Sequence, residues 1–447
     1  MKRPISSETI QRVLKTSIKA FVVNTIDAVF TRLKLMNIRT LMEPDPLTGK
    51  DPLYGWIMVA VVFLLSGLAF GTAGALSVFL KPLSAEFGWG RSETALGYTT
   101  LAMSSAVFGV CWGYVADRWG TRYFGIVAAL VMPLALYLLS ELTSLWQFYA
   151  FYFLFGALGT SMVSSPLFAN VAFWFLNKPG LALGITAAGG AVGQGLVPML
   201  SAWAIEAYDW RTAYLILAVL YLVVLLPVSL LVREPPGRVA PSKQSAVTAP
   251  PTSVNEIEVV AWISLAVIFC CNCMAVPIVH LVPLLTDNGF SPEVAASVLL
   301  TLMLTGGIGR VIGGKLCDSF GALPTYLFMS LGQTVFAFAF PQVASLFGLY
   351  LLAAFFGFSY SGVMSSILVL TRMMVSPGFA ARAMSITAFF GWFGMGMGAF
   401  IGGLFFDSYG NYELSFAYAS MMGMANLGIL LLFLTRVRRI NDAAVAV

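Results

Sequence analysis

Charged side chains are scarce in this sequence. Lysine and arginine number 25 and aspartate and glutamate 20 among 447 residues, whereas 59% of the residues are hydrophobic. The mean hydropathy of +0.87 excludes a soluble domain of this length, because such a domain needs a polar surface. Apolar runs long enough to cross a bilayer recur along the chain and lack the alternation of barrel strands. The composition therefore predicts an all-α integral membrane protein.

Histidine and cysteine are also rare, with one histidine and five cysteines. The cysteines fall within apolar runs or at their edges, so we expect no disulfides. Cys270, Cys271 and Cys273 cluster, but His280 is the only other soft ligand within the spans, which favours packing over a metal site. No nucleophile–base pair is evident, so we expect neither an enzyme, nor a metal, nor a cofactor.

The apolar runs predict twelve transmembrane helices. A stretch with five prolines, together with serine and threonine, separates the first six from the last six and indicates a flexible linker. We expect five regions: a cytoplasmic N-terminal segment at 1–54, a first half at 55–232, a linker at 233–256, a second half at 257–435 and a tail at 436–447.

The two halves repeat at an offset of 201 residues. Gly113, Asp117 and Gly120 correspond to Gly314, Asp318 and Gly321 in the second half. Further matched pairs are Gly88 and Gly289, Phe155 and Phe356, Ile185 and Ile386, and Gly193 and Gly394. A gapless register from the second span to the fifth predicts two pseudo-symmetric six-helix halves with a substrate site between them near the midplane.

Basic residues set the expected orientation. Nine precede the first span, and the linker and tail contain further arginines and lysine, whereas one side of the bundle has only Lys81, Arg91 and Arg211. This bias predicts that both termini are cytoplasmic. Residues 10–33 alternate apolar and basic positions at helical spacing, which indicates an amphipathic helix on an anionic lipid surface. The alternative is that translation begins at Met36 or Met42, in which case the region before that methionine is incidental.

Arg310 is the only cation in the middle of a predicted span, and none of the twenty acidic residues falls mid-span. An uncompensated arginine at that depth costs about 2.5–3.5 kcal/mol or more. Its partner must therefore be backbone carbonyls or a bound anion. The planar guanidinium suits a carboxylate, and a single cation favours a monoanion over a dianion.

Other side chains complete the expected pocket. Ser164 on span four, Tyr360 on span ten and Phe389 on span eleven are candidate lining residues, with helix packing as the alternative for each. His280 lies on span seven and can carry a proton or gate anion entry, or else cap a helix. Co-transport of a proton, anion exchange and uniport all stay open.

The segment from Gly113 to Arg122, with Asp117, Arg118 and Gly120, resembles the loop motif between spans two and three of the major facilitator superfamily. The resemblance implies that this motif latches the two halves together on the cytoplasmic side. Around Asp318 the motif has Ser319 in place of Arg118, so we expect a weaker latch there.

Three further stretches resemble the bacterial monocarboxylate and oxalate:formate antiporter branch of that superfamily. They are Tyr54-Gly55-Trp56, Gly88-Trp89-Gly90-Arg91, and the run from Phe173 to Gly184 that continues to Gly193. Members of this branch carry small organic anions and place an arginine in span eight, which corresponds to Arg310. The chain departs from the branch where relatives have an acidic residue at Gly306 and where the oxalate antiporter has a span-eleven lysine.

Together these features predict a secondary transporter that moves a small organic anion by alternating access. A monocarboxylate is the first candidate for this anion. A proton-coupled efflux carrier for apolar compounds and a transporter-like ligand sensor are the alternatives. The expected partners are the anion, a proton if transport is coupled, and membrane lipid, with no nucleic acid. We expect a monomer in a bacterial inner membrane.

Overall fold

The computed structural model describes residues 52–175, 179–235 and 255–445. These ranges contain helices and no strand. The six helices of the first half are α1 Leu53–Phe87, α2 Arg91–Trp119, α3 Arg122–Ser140, α4 from Leu145 to Phe173 in several pieces, α5 Pro179–Ala207 and α6 Trp210–Ser229. The second half comprises α7 Glu256–Asp287, α8 Pro292–Phe320, α9 Ala322–Ala339, α10 Leu346–Met373, α11 Pro377–Tyr409 and α12 Glu413–Val445.

Several expectations fall wholly or mainly outside the described residues. The segment predicted to form the N-terminal amphipathic helix lies before Pro52, and the centre of the predicted linker lies between Pro235 and Asn255, so both are outside the described residues. The side chain of Asp117 is also not among those described, although its backbone belongs to α2. The linker leaves the helix bundle at one end, which we call the linker face. We call the opposite end of the bundle the far face.

Glycines end the helices at the turns that the internal repeat predicts. Gly88 and Gly289 follow α1 and α7 with φ of 71° and 90°, and Gly120 and Gly321 follow α2 and α8 with φ of 79° and 90°. A residue with a Cβ rarely adopts this left-handed region, so the four glycines stop equivalent helices for the same steric reason. The motif glycine Gly120 is thus a helix terminator.

Polar side chains cap several of the helix starts. The carboxylate of Asp209 accepts from Thr212 N at 2.6 Å, and the side-chain oxygen of Asn255 accepts from Ile257 N at 2.9 Å. Ser291 precedes Pro292 at the start of α8 and accepts from Val294 N at 3.3 Å. Each cap satisfies a backbone donor that the helix itself leaves free.

Helix α4 is irregular. The segments Phe155–Thr160 and Val163–Leu167 have π-helical geometry, and the second of them contains Pro166, which lacks an N–H for the helical ladder. Two carbonyls in this region pair with α2 instead: Ser105 Oγ donates to Gly156 O at 3.3 Å and Trp112 Nε1 to Ala157 O at 2.7 Å. The other eleven helices are each long and apolar enough to cross a bilayer.

Glycines also allow two pairs of helices to pack closely, one pair in each half. Gly67 on α1 faces Gly193 on α5, and a Cβ on Gly193 would overlap the Gly67 carbonyl. The equivalent Gly394 on α11 lies against the Ile268 carbonyl of α7, where a Cβ would be 2.4 Å from the oxygen. Small residues at such contacts let helix backbones approach each other within lipid.

The last helix is longer than expected. The sequence analysis ends the twelfth span at 435 and begins the tail at 436, but α12 continues without a break to Val445. Arg436 lies on this continuation and forms an ion pair with Glu258 of α7, with Nε 3.1 Å from Oε1. The contact ties the first turn of the continuation to the start of the second half.

Candidate functional site

Arg310 lies deep within α8. Ten residues separate it from the end of that helix at Phe320, which is about 15 Å at the helical rise. The other described lysines and arginines lie nearer to helix ends, and none of the described acidic residues forms an ion pair with Arg310. Within the part of the chain that the structure describes, Arg310 is therefore an interior cation without an ion-pair partner.

The guanidinium of Arg310 reaches from the second half to the first. Its Nη1 donates to the carbonyl oxygen of Ala187 on α5, at a long 3.3 Å. Its Nε is buried and has no hydrogen-bond partner among the described residues. A guanidinium has five N–H donors, so this one contact leaves most of its donor capacity for another acceptor.

Two aromatic rings from the two halves meet near the segment of α5 that Arg310 contacts. Phe70 of α1 and Trp392 of α11 stack with ring centroids 6.0 Å apart and planes within 2° of parallel. A Cβ on Gly190 would lie 3.0 Å from the Phe70 ring, and Gly190 follows Ala187 by one turn of α5, a rise of about 4.5 Å. Phe70 therefore packs beside the turn of α5 that follows the Arg310 contact, towards the far face.

Helix α10 packs against α8 in the region of Arg310. Tyr360 is buried, donates to the sulfur of Met303 at 3.4 Å, and would contact a Cβ on Gly306 at 3.3 Å. The hydroxyl of Ser361 is buried beside Gly306 without a hydrogen-bond partner in the described structure. Gly306 precedes Arg310 by one turn of α8, so Tyr360 and Ser361 pack against the turn before the arginine. The sequence analysis missed Ser361, and the lining role of Tyr360 stays a prediction.

The other predicted lining residues have weaker connections to Arg310. Ser164 is half-buried within the second π-helical segment of α4. Phe389 is half-buried on α11 and packs edge-on against Phe390 with centroids 5.4 Å apart. No hydrogen bond or ring contact of the described residues joins either of them to Arg310, so both stay predictions.

His280 occupies a different layer of the bundle. It lies seven residues from the far-face end of α7, fully buried, and its Nε2 is 2.8 Å from the carbonyl oxygen of Ala399 on α11. Because a carbonyl only accepts, Nε2 carries the hydrogen and donates. Nδ1 has no partner among the described residues, and the ring lies 5.4 Å from that of Tyr412. His280 thus joins α7 to α11, and its role in carrying a proton or gating anion entry stays a prediction.

The loop motif after α2 is held by contacts with α4 and with the segment that follows α6. Thr121 donates through its backbone N and its Oγ1 to the Glu234 carboxylate beyond α6, the second bond at 2.8 Å. Asn170 of α4 donates to Thr121 Oγ1 at 2.6 Å and to the Arg233 carbonyl at 3.0 Å. The sequence analysis missed Glu234, which binds the backbone at the start of α3.

Two motif arginines have exposed positions. Arg118 donates to the hydroxyl of Tyr114 one turn earlier at 2.9 Å and lies 4.8 Å from its ring centroid. Arg122 is exposed at the first turn of α3, and Asp318 is exposed in the last turn of α8. Gly113 is half-buried within α2. The latch role of these residues stays a prediction.

Solved transporter structures share this architecture. The structure of a bacterial homologue of the human lysosomal transporter Spinster, inward-facing and occupied, aligns with a TM-score of 0.67 over 87% of this chain and 97% of that one, at 17% identity. A peptide transporter in complex with sulfate aligns with a TM-score of 0.68 over 90% of this chain and 97% of that chain, at 14% identity. At these identities the likeness establishes the fold.

Curated relatives are transporters as well. Monocarboxylate transporter 13 of Bos taurus is 25% identical over 388 residues, which is 85% of this chain and 89% of the relative. Monocarboxylate transporter 11 of Homo sapiens is 24% identical over 63% of this chain and 60% of its own length. Riboflavin transporter RibJ of Trypanosoma brucei brucei is 29% identical, but the match spans only 37% of this chain and 31% of the relative.

The family comparison covers nearly all of the described chain. The profile of the Major Facilitator Superfamily matches residues 62–346 and, in a second overlapping match, 261–446. The twelve helices, the repeated glycine terminators and the interior arginine between the halves agree with that assignment and with its monocarboxylate-transporter-like branch. The chain is a membrane transporter that belongs to the Major Facilitator Superfamily.

Proposed function

We propose that the chain carries small organic monoanions across the membrane by alternating access, with Arg310 as the carboxylate-binding group. The observation that carries the proposal is the Arg310 guanidinium, which lies between the halves and uses one long hydrogen bond within the described structure. A charge-assisted bidentate contact with a carboxylate would satisfy the remaining donors and offset the cost of holding the cation at this depth.

The aromatic pair Phe70 and Trp392 suits the apolar body of such an anion. Phe70 packs beside the turn of α5 that follows the Ala187 contact of Arg310, and the pair contains no charge that would bind a second carboxylate. A bound monocarboxylate would therefore place its carboxylate on Arg310 and its apolar portion against the rings. A dicarboxylate would lose hydration at its second charge without finding a described cation there.

Binding of a ligand panel to the purified protein tests the proposal. We expect propionate, pyruvate and benzoate to raise the unfolding temperature, because a ligand that binds only the folded state stabilises it. The matched controls are propionamide and benzamide, which keep the shape and lose the charge. Stabilisation by the amides equal to that by the acids would refute the carboxylate-binding role.

We further propose that the linker face is cytoplasmic. Ala85 is exposed near the far-face end of α1, and Tyr123 is exposed at the linker-face start of α3. In a background that carries Cys111→Ser, an impermeant maleimide added outside intact cells should label Ala85→Cys and not Tyr123→Cys. The reverse pattern would invert the orientation, and permeabilised cells serve as the control for reactivity at both sites.

The loop motif is proposed to stabilise closure at the linker face. Asp117→Asn should lower turnover more than substrate affinity, since α2 places this residue close to the linker face. Asp318→Asn should have the smaller effect, because Ser319 replaces the arginine that follows Asp117. Initial rates of uptake at several concentrations measure both quantities, and equal losses in the two variants would contradict the proposed asymmetry.

A further inference from the structure

Charged side chains from the two halves meet at the far face. We call this group the far-face network: Lys81, Arg91 and Ser92 of the first half with Asp287, Asp407 and Tyr412 of the second half. The sequence analysis places Lys81 and Arg91 at one side of the bundle but assigns no partner to either. In the structure every member contacts the opposite half.

Asp407 binds the start of α2. Its Oδ1 accepts from the backbone N of Arg91 at 2.7 Å, and its Oδ2 accepts from the backbone N of Ser92 at 2.8 Å and from Ser92 Oγ at 2.6 Å. A helix start presents unpaired N–H groups and a partial positive charge, both of which favour a carboxylate. A residue at the end of α11 thus caps a helix of the other half.

The side chain of Arg91 also crosses the boundary between the two halves. Its Nη1 donates to the Tyr412 hydroxyl at 2.9 Å, and its Nη2 donates to both carboxylate oxygens of Asp287 at 3.2 and 3.0 Å. The guanidinium also lies 4.4 Å from the centroid of the Phe406 ring. All of these partners belong to the second half, so separation of the halves removes every one of these contacts.

Burial makes these contacts stronger than ordinary surface ion pairs. The side chain of Arg91 is 10% exposed and that of Asp287 26% exposed, whereas the far-face pair of Arg211 and Glu86 within the first half is 41% and 42% exposed. A mostly buried arginine depends on its partners, while an exposed pair is screened by solvent. Lys81 adds a second cation to Asp287, with Nζ 2.8 Å from Oδ1.

We propose that the far-face network is the gate of this transporter at the far face, and that its hydrogen bonds set the balance between the far-face-closed and far-face-open states. The proposal rests on alternating access of the two halves, as in the proposed function, but not on the identity of the transported anion. When the far face opens, water reaches the network residues of both halves and hydrates the separated charges. Loss of one member shifts the equilibrium towards the open state.

Distances between spin labels test the gate without any substrate. Trp146 and Phe347 are exposed at the far-face ends of α4 and α10, one in each half, and Tyr123 and Met373 are exposed at the linker face. Cysteine pairs at these positions, in the Cys111→Ser background, report the separation of the halves at each face by double electron–electron resonance. Asp407→Asn should raise the ratio of open to closed far-face distances about ten-fold or more.

Two comparisons separate a gate from a general loss of stability. Glu86→Gln breaks a far-face ion pair that lies within one half, so it should leave the distance distributions unchanged. Arg91→Gln and Asp287→Asn should each open the far face, and the double variant should open it by less than the sum of the two, because they remove the same contact. Wild-type distances in Asp407→Asn and in Arg91→Gln, with the protein folded, would overturn the proposal whatever the substrate proves to be.

Discussion

Replacement of Arg310 by glutamine should abolish detectable carboxylate binding while the protein stays folded. The variant loses charge-assisted hydrogen bonds worth about 1.5–3 kcal/mol each, so two such bonds correspond to a loss of a hundred-fold or more in affinity, at about 1.4 kcal/mol per factor of ten. Folding should survive, because Arg310 has one long bond to the Ala187 carbonyl and its removal leaves no buried partner charge among the described residues.

Two further variants sharpen this prediction. Arg310→Lys keeps the charge but loses the planar fork, so it should bind the anion weakly rather than at the wild-type level. Lys315→Gln removes an exposed cation one and a half turns further along α8 and should bind normally. Binding is measured by isothermal titration calorimetry and folding by thermal unfolding without ligand. Wild-type affinity in Arg310→Gln would refute the anchor role.

Replacement of Gly193 by alanine should be among the most destabilising single-methyl changes in the chain. The added Cβ would overlap the carbonyl group of Gly67, and a backbone atom cannot move aside as a flexible side chain can. Overpacking typically costs about 1–3 kcal/mol, and we expect the upper end of that range or more because α1 and α5 must separate.

The control for this prediction lies on the same helix. A Cβ on Gly184 meets no atom of the described structure within 4 Å, so Gly184→Ala should leave the unfolding temperature almost unchanged. Thermal unfolding in detergent and the fraction of monodisperse protein give the comparison. Equal stability of the two variants would show that the α1–α5 contact is not as close as the structure has it.

The sequence could predict the fold because its strongest signals are local. Apolar run length identifies the spans, and the offset of 201 residues predicts that equivalent turns have equivalent glycines. Gly88 and Gly289, like Gly120 and Gly321, prove to have positive φ at the ends of equivalent helices. Apolar run length did not predict the continuation of α12 beyond 435, because the arginines at 436, 438 and 439 end the apolar run but not the helix.

The contacts of the site could be predicted only in part. Charge scarcity identifies Arg310 without any structure, since no interior acid is available to neutralise it. The stacked pair Phe70 and Trp392 could not be predicted, because aromatic residues are common in these spans and 322 residues separate the two. The contact between Arg91 and Asp407 could not be predicted either, because 316 residues separate them and only the tertiary packing pairs them.

The most direct measurement of the central claim is flux of labelled monocarboxylates into proteoliposomes that contain the purified transporter. Wild-type protein should take up the labelled anions that it binds, and an excess of the same unlabelled acid should compete, whereas the matching amide should not. Vesicles with Arg310→Gln should take up no more label than empty vesicles. Binding of a carboxylate without any flux would contradict transport and favour a ligand sensor, and equal flux in wild type and Arg310→Gln would contradict the anion mechanism.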